Sequence, residues 1–213
     1  MANINKRMKQ NIEKGKMLSA DQLTALEEEK RVANRKYWTR YIIMMFVYAA
    51  VYDGITYLTR SFAFDMHQFR IAEVMVAIVF FDPAAFPGMT IGCIVANFFG
   101  PGGIPDAILG GCATAFGIYC MKWWAERNGK PYVGMALYAL FNAFMVALEL
   151  SYNELLASEH FMLEIFAWVM LGEVVCSVVG GTVLHFIISR RWKDIVSETK
   201  KGEEPEFTPT TLQ

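Results

Sequence analysis

Long apolar runs alternate with short polar or glycine- and proline-rich breaks. Six runs stand out, roughly Tyr41–Leu58, Phe69–Phe81, Gly88–Phe99, Ala107–Trp124, Tyr132–Leu150 and Phe161–Ile188. Several are shorter than the ~20 residues that cross a bilayer unaided. Short runs are tolerable where neighbouring helices shelter their ends or irregular backbone lines a cavity. Pro83, Pro87, Gly100, Pro101, Gly102, Gly103 and Pro105 fall between runs and predict tight connections. The pattern predicts an all-α membrane protein: a six-transmembrane-helix bundle over 41–189, a partly helical amino-terminal extension over 1–40 and a tail over 190–213. In the extension, Ser19 with Gln22 forms a capping box and Leu18 with Leu23 a hydrophobic staple, so a helix is expected to start there. The ends, 1–16 and 200–213, read as disordered.

Composition strengthens the membrane reading. A chain that is 54% apolar and 19% charged lacks the polar surface of an ordinary soluble domain. Its charges are segregated: residues 1–40 hold ten Lys/Arg against five acids, an excess of +5 within an overall net of −1. Basic residues are retained on the cytoplasmic side. Six spans place the amino-terminal segment, the turn with Lys122, Arg127 and Lys130, and the tail from Arg190 on that side. Both termini are therefore expected in the cytoplasm of a bacterial cell. The opposite loops carry Asp65, Glu154, Glu159 and His160, with Arg60 the dissenting base.

Polar groups inside the runs are the candidate chemistry. Arg70, Glu73, Asn97, Asp106, Asn142, Glu149 and Glu173 lie within or at the ends of lipid-soluble segments, where an ionisable side chain is expensive and usually functional. Arg70 and Glu73 are three apart on one face; Asn142 and Glu149 are two helical turns apart. The six-span topology puts Arg70, Glu73, Asn97, Asp106 and Glu149 at outer ends, with Asn142 and Glu173 as a deeper floor. A pocket open to the outside, for a polar ligand, follows as the expectation, with Phe166 or Phe69 as an aromatic wall. Alternatives stay open: an ion pair for Arg70 and Glu73, interhelical hydrogen bonds for Asn97 and Asn142. Small residues recur every four positions (Gly88, Gly92, Ala96; Ala139, Ala143, Ala147), as internal packing requires, while Ala50 and Gly54 are the best candidates for an external helix contact.

Other chemistry finds no support. The four cysteines lack CxxC spacing, the three histidines are scattered, and no HExxH, GxSxG or Walker motif occurs. No metal, cofactor or nucleic-acid partner is expected, and ATP hydrolysis by this chain is not. A rival reading is an intramembrane hydrolase using Glu73 and Glu173 as acid and base.

QFRIAE from Gln68, DPAAFPGMTIGCIVAN from Asp82, DAILGGCAT from Asp106, FNAFMV from Phe141 and GEVV from Gly172 stand in order along the chain. Together they resemble the queuosine-precursor-binding S component (QueT family) of energy-coupling factor transporters, over about Ala49–Ile188. The resemblance implies a six-helix membrane subunit that captures a deazaguanine base, or a related queuosine salvage substrate, from outside. It implies association with a membrane T component and two ATP-binding-cassette subunits, docking through the small face Ala49, Ala50 and Gly54. An S component for another vitamin is the alternative. Departures are the charged extension, the acidic tail and Asp53 within the first run.

Overall fold

The computed structural model describes residues 20–64, 68–153 and 161–199, with side chains over 21–64, 68–148 and 163–191. Outside the described residues lie Leu18 and Ser19 of the cap, the loop positions Asp65, His67, Glu154, Glu159 and His160, the chain ends 1–16 and 200–213, and the side chain of Glu149. The described residues are helical, with no strand among them. The order is α1 (Ala20–Leu58), α2 (Arg60–Ala63), a 3-10 helix (Ile71–Phe80), α3 (Ala85–Phe98), α4 (Gly103–Asn128), α5 (Pro131–Asn153), α6 (Phe161–Glu173), a π-helical segment (Val174–Gly180) and α7 (Gly181–Thr199).

Two compact units divide the chain, Met1–Ile43 and Met44–Gln213. The described part of the first is the leading portion of α1, which exposes Leu23, Val32, Tyr37, Trp38, Ile42 and Ile43.

In the second unit the 3-10 helix is central, packed by α3, α4, α5, the π segment and α7. It buries Ala72, Glu73, Met75, Val76, Ala77 and Val79. Ten residues at ~2.0 Å rise reach ~20 Å, against ~15 Å for the same residues in an α-helix, so tighter winding lengthens a short run. Among the described residues, four stretches have the length and apolarity to cross a membrane, Asp21–Leu58, Gly103–Asn128, Pro131–Leu148 and Leu163–Arg191; Ile71–Phe80 and Ala85–Phe98 are apolar but shorter. Four of the six expected spans thus coincide with elements long enough to cross, and the other two fall on shorter apolar helices.

Two of the prolines expected as breakers sit inside helices, and Gly103 opens α4. Pro87 falls in the first turn of α3 and Pro105 in that of α4. Amides of the first turn have no intrahelical acceptor, so a missing N–H there costs nothing. Gly129 closes α4 in the left-handed conformation, φ 64°, which a glycine adopts without strain.

The small-residue ladder of α3 packs internally. A Cβ on Gly88 would lie 2.7 Å from the Met45 carbonyl oxygen, and one on Gly92 2.8 Å from that of Ala49, so the two backbones nearly touch. A Cβ on Gly180 would lie 2.7 Å from Val74 of the 3-10 helix. Beyond the π segment, α7 lays His185 against Phe80 and Phe81, ring centroids 5.5 and 5.0 Å away. Large apolar side chains face outward instead, with Leu58 84% and Phe99 81% exposed. An apolar exterior around a polar interior suits lipid as solvent.

Candidate functional site

Glu73 stands in the first turn of the 3-10 helix, wholly enclosed. The Tyr52 hydroxyl, from α1, donates to its Oε1 at 2.6 Å, and the Tyr138 hydroxyl, from α5, donates to its Oε2. Both tyrosines are buried. One carboxylate thereby ties three elements together through charge-assisted bonds, roughly twice as strong as neutral ones.

Arg70 precedes the 3-10 helix in a non-helical conformation (φ −88°, ψ 87°), which turns it to other partners than Glu73. Its Nε donates to Gln68 Oε1 at 3.0 Å, and its guanidinium lies 5.9 Å from the Phe64 ring centroid. Gln68 itself adopts φ 48°, uncommon for a residue with a side chain. The Cys93 sulfur, 4.0 Å from Arg70 Nη1, accepts from Thr114 Oγ1 at 3.3 Å and from Asn97 Nδ2 at 3.4 Å. Asn97 fits only because position 110 is glycine: a Cβ there would stand 2.2 Å from its Nδ2.

Glu173 closes α6 where the helix widens into the π segment. Asn142 Nδ2 of α5 donates to its Oε1 at 2.6 Å, and Ser177 Oγ donates to its backbone carbonyl at 2.5 Å. Its other oxygen, Oε2, and Asn142 Oδ1 are buried without a hydrogen-bond partner among the described residues. Neither can be relieved by flipping the amide, which would set Oδ1 against the carboxylate. Arg70, Glu73 and Glu173 are near enough to feel one another's charge.

Five of the sequence-predicted residues therefore meet in one buried polar core: Arg70, Glu73, Asn97, Asn142 and Glu173. Glu73 is not at an open rim but enclosed by aromatic rings. Asp106 stands apart, its carboxylate folded back over the start of its own helix, where a Cβ on Gly102 would be 1.7 Å from Oδ2. Phe166 packs with Ala143, Val146, Ala147, Ile165 and Val169 in a separate apolar cluster. Ala49 is turned inward against α3 and is 7% exposed, so it cannot meet an external helix. Ala50 is exposed, and the space around Gly54 is open. Asp53, unexpected in an apolar run, lines a cavity of about 620 Å³ together with Thr56, Arg60, Ser61 and Phe64. Phe64 lines that cavity and also has the Arg70 guanidinium near its ring.

Tyr52, Tyr138, Gln68, Cys93, Thr114 and Ser177 join the core without having been expected there. For the tyrosines one signal existed: a hydroxyl in mid-run needs a partner when buried.

Residues 42–190 match the QueT transporter family. The chain belongs to that family. The match takes in the whole polar core and leaves out the leading part of α1. A relative, the queuosine precursor transporter QueT of Lactococcus lactis subsp. cremoris (strain MG1363), is 25% identical over 155 residues, which cover 67% of this chain and 89% of the relative. No solved structure matches. With its apolar helices, the QueT-family chain is a multi-pass membrane protein of a transporter family.

Proposed function

We propose that this chain is the substrate-binding S component of an energy-coupling factor importer, capturing a queuosine precursor of the deazaguanine type. The family and the relative named for queuosine precursor transport support the ligand class. The observation that carries the reading is the pair of unpartnered acceptors, Glu173 Oε2 and Asn142 Oδ1, on side chains already bonded to each other. A deazaguanine offers the complement, a ring N–H and an exocyclic amine side by side on its pyrimidine edge. Buried acceptors left unmet cost ~1–3 kcal/mol each, so a ligand lacking the amine is rejected. The Arg70 guanidinium, in electrostatic reach of Glu173, is the donor group that suits the base's carbonyl.

ATP hydrolysis falls to two partner ATP-binding-cassette subunits, and a membrane T component docks on the face carrying Ala50 and Gly54. Both termini and the Lys122–Lys130 stretch, the end of α4 with the turn after it, face the cytoplasm. A cysteine at exposed position 128 should then resist labelling in intact cells and react after permeabilisation.

Calorimetric titration of the purified chain with cyano- and aminomethyl-deazaguanine tests the ligand class, with mass spectrometry of co-purified small molecules as the unbiased check. Heat from a deazaguanine and none from its analogue without the exocyclic amine is the expected result. Equal binding of the two bases would remove the acceptor pair from recognition.

A further inference from the structure

The leading unit has features the transporter reading does not use. The family match begins at residue 42, so the helix from Ala20 to Tyr41 lies outside it. Charge along this helix is sorted. Asp21, Glu27, Glu28 and Glu29 come first; Lys30–Tyr41 then holds five bases, Lys30, Arg31, Arg35, Lys36 and Arg40, and no acid. Every residue from Arg35 to Arg40 is exposed. Three aromatic rings stand among these bases: Tyr37 to Trp38 at 5.6 Å, Trp38 to Tyr41 at 5.5 Å and Tyr37 to Tyr41 at 6.2 Å between centroids. Trp38 is 51% exposed. Directly after Tyr41 the exposed side chains become the apolar Ile42 and Ile43.

This order along one helix, bases, then aromatic rings, then aliphatic side chains, matches the order of chemistry on entering a bilayer. Tyr and Trp favour the headgroup level. Clustered bases beside an apolar run are attracted by an anionic leaflet. At 1.5 Å per residue, Arg35 to Tyr41 covers ~9 Å and Lys30 to Tyr41 ~16 Å, so the bases lie within about one to two screening lengths of the apolar boundary. An acidic protein face would satisfy the guanidinium groups but leave exposed rings that run on into aliphatic surface; lipid satisfies both.

We propose that Lys30–Tyr41 is a binding surface for anionic phospholipid headgroups, with the Tyr37–Trp38–Tyr41 cluster seated at headgroup level and the five bases contacting phosphates. It acts independently of the ligand site.

The test uses the full chain in nanodiscs containing either dibrominated phosphatidylglycerol or dibrominated phosphatidylcholine at equal mole fraction. The Trp38 signal is the fluorescence difference between parent and Trp38→Phe. Quenching should favour phosphatidylglycerol by at least about fivefold at low salt, the effect of roughly one base near an anionic surface. The preference should fall towards unity in 0.5 M salt. It should also vanish when Lys30, Arg31, Arg35, Lys36 and Arg40 are all changed to Gln, a residue of similar helix propensity. Equal quenching by the two lipids overturns the proposal, as does a preference that survives the five substitutions. Should that variant fail to fold, a preference in the parent that is insensitive to salt overturns it instead. Equal quenching together with protection of these bases from trypsin by co-purified coupling subunits would assign the face to protein docking.

Discussion

Two carboxylates are buried in one helical bundle, and their surroundings differ. Glu73 has both oxygens occupied by tyrosine hydroxyls from two other elements. Glu173 has one oxygen held by Asn142, while Oε2 and the amide oxygen beside it are unmet. Burial alone therefore does not separate the two acids; what separates them is that Glu173 and its partner Asn142 keep adjacent acceptors unmet, and the proposed ligand role of Glu173 rests on that difference. Glu73 is a tie between helices, and Glu173 is the group left with something to offer.

The sharpest way to break that contrast is to delete the tie. Glu73→Leu strands two buried hydroxyls, at ~1–3 kcal/mol each, so stability should fall by about 2–6 kcal/mol, read as a lower Tm in detergent. The fraction that stays folded should bind ligand nearly as the parent does. An unchanged Tm with lost binding would exchange the roles of the two acids.

Glu173→Gln tests the other side. It replaces one acceptor oxygen with a donor facing the ligand's own donors. Affinity should drop by ~2–4 kcal/mol, roughly thirty- to a thousandfold by calorimetry, with Tm little changed. Parental affinity in a folded variant would make Glu173 a structural partner and misplace the pocket.

Tyr138→Phe removes one donor from Glu73 and leaves its Oε2 unmet. The expected loss is ~1–3 kcal/mol of stability, smaller than for Glu73→Leu. If the loss is as large as that of Glu73→Leu, the two hydroxyls do not share the load and the tie is a single bond. Asp106→Asn should have the least effect. It removes a charge at the start of α4, about 0.3–1 kcal/mol of stability, with no change in affinity; a tenfold affinity loss would return Asp106 to the ligand site.

The sequence reveals the polar core in part because the cost of burying charge in lipid singles out Arg70, Glu73 and Glu173 wherever they sit. Partners are less legible. Tyr52 and Tyr138 stand 21 and 65 positions from Glu73, and no helical periodicity connects residues on different elements. The facing of Arg70 and Glu73 assumed one helix, whereas the backbone turns at Gln68 and Arg70 and sends the guanidinium elsewhere. Asp106 looked like Glu73 by depth, yet it lies in the first turn of α4 with its carboxylate against Gly102 and its Oδ1 unmet among the described residues, a placement that the hydrophobic pattern does not display. Phe166 does share an α-helical face with Glu173, both lying in α6, yet two turns along that face it packs with Val146 and Val169. The apolar runs predicted the helices but not their winding, because a ten-residue apolar stretch reads the same in 3-10 and α form.

Between Glu173 and His185 the last helix passes through its π-helical stretch, Val174–Gly180. Hydrogen bonds there reach one residue further than in an α-helix. The stretch works like a slack link in a chain of fixed pitch, letting the part that presents Glu173 to Asn142 and the part that lays His185 on Phe80 and Phe81 each keep its own angular setting. Removing a single residue there, for instance Val178, would draw that slack out by tightening the stretch to ordinary α winding, and the two parts would stay nearly in register. The same deletion within the α-helical part that follows, beyond Gly181, would instead rotate one part against the other by ~100° and take it out of register with the rest of the bundle.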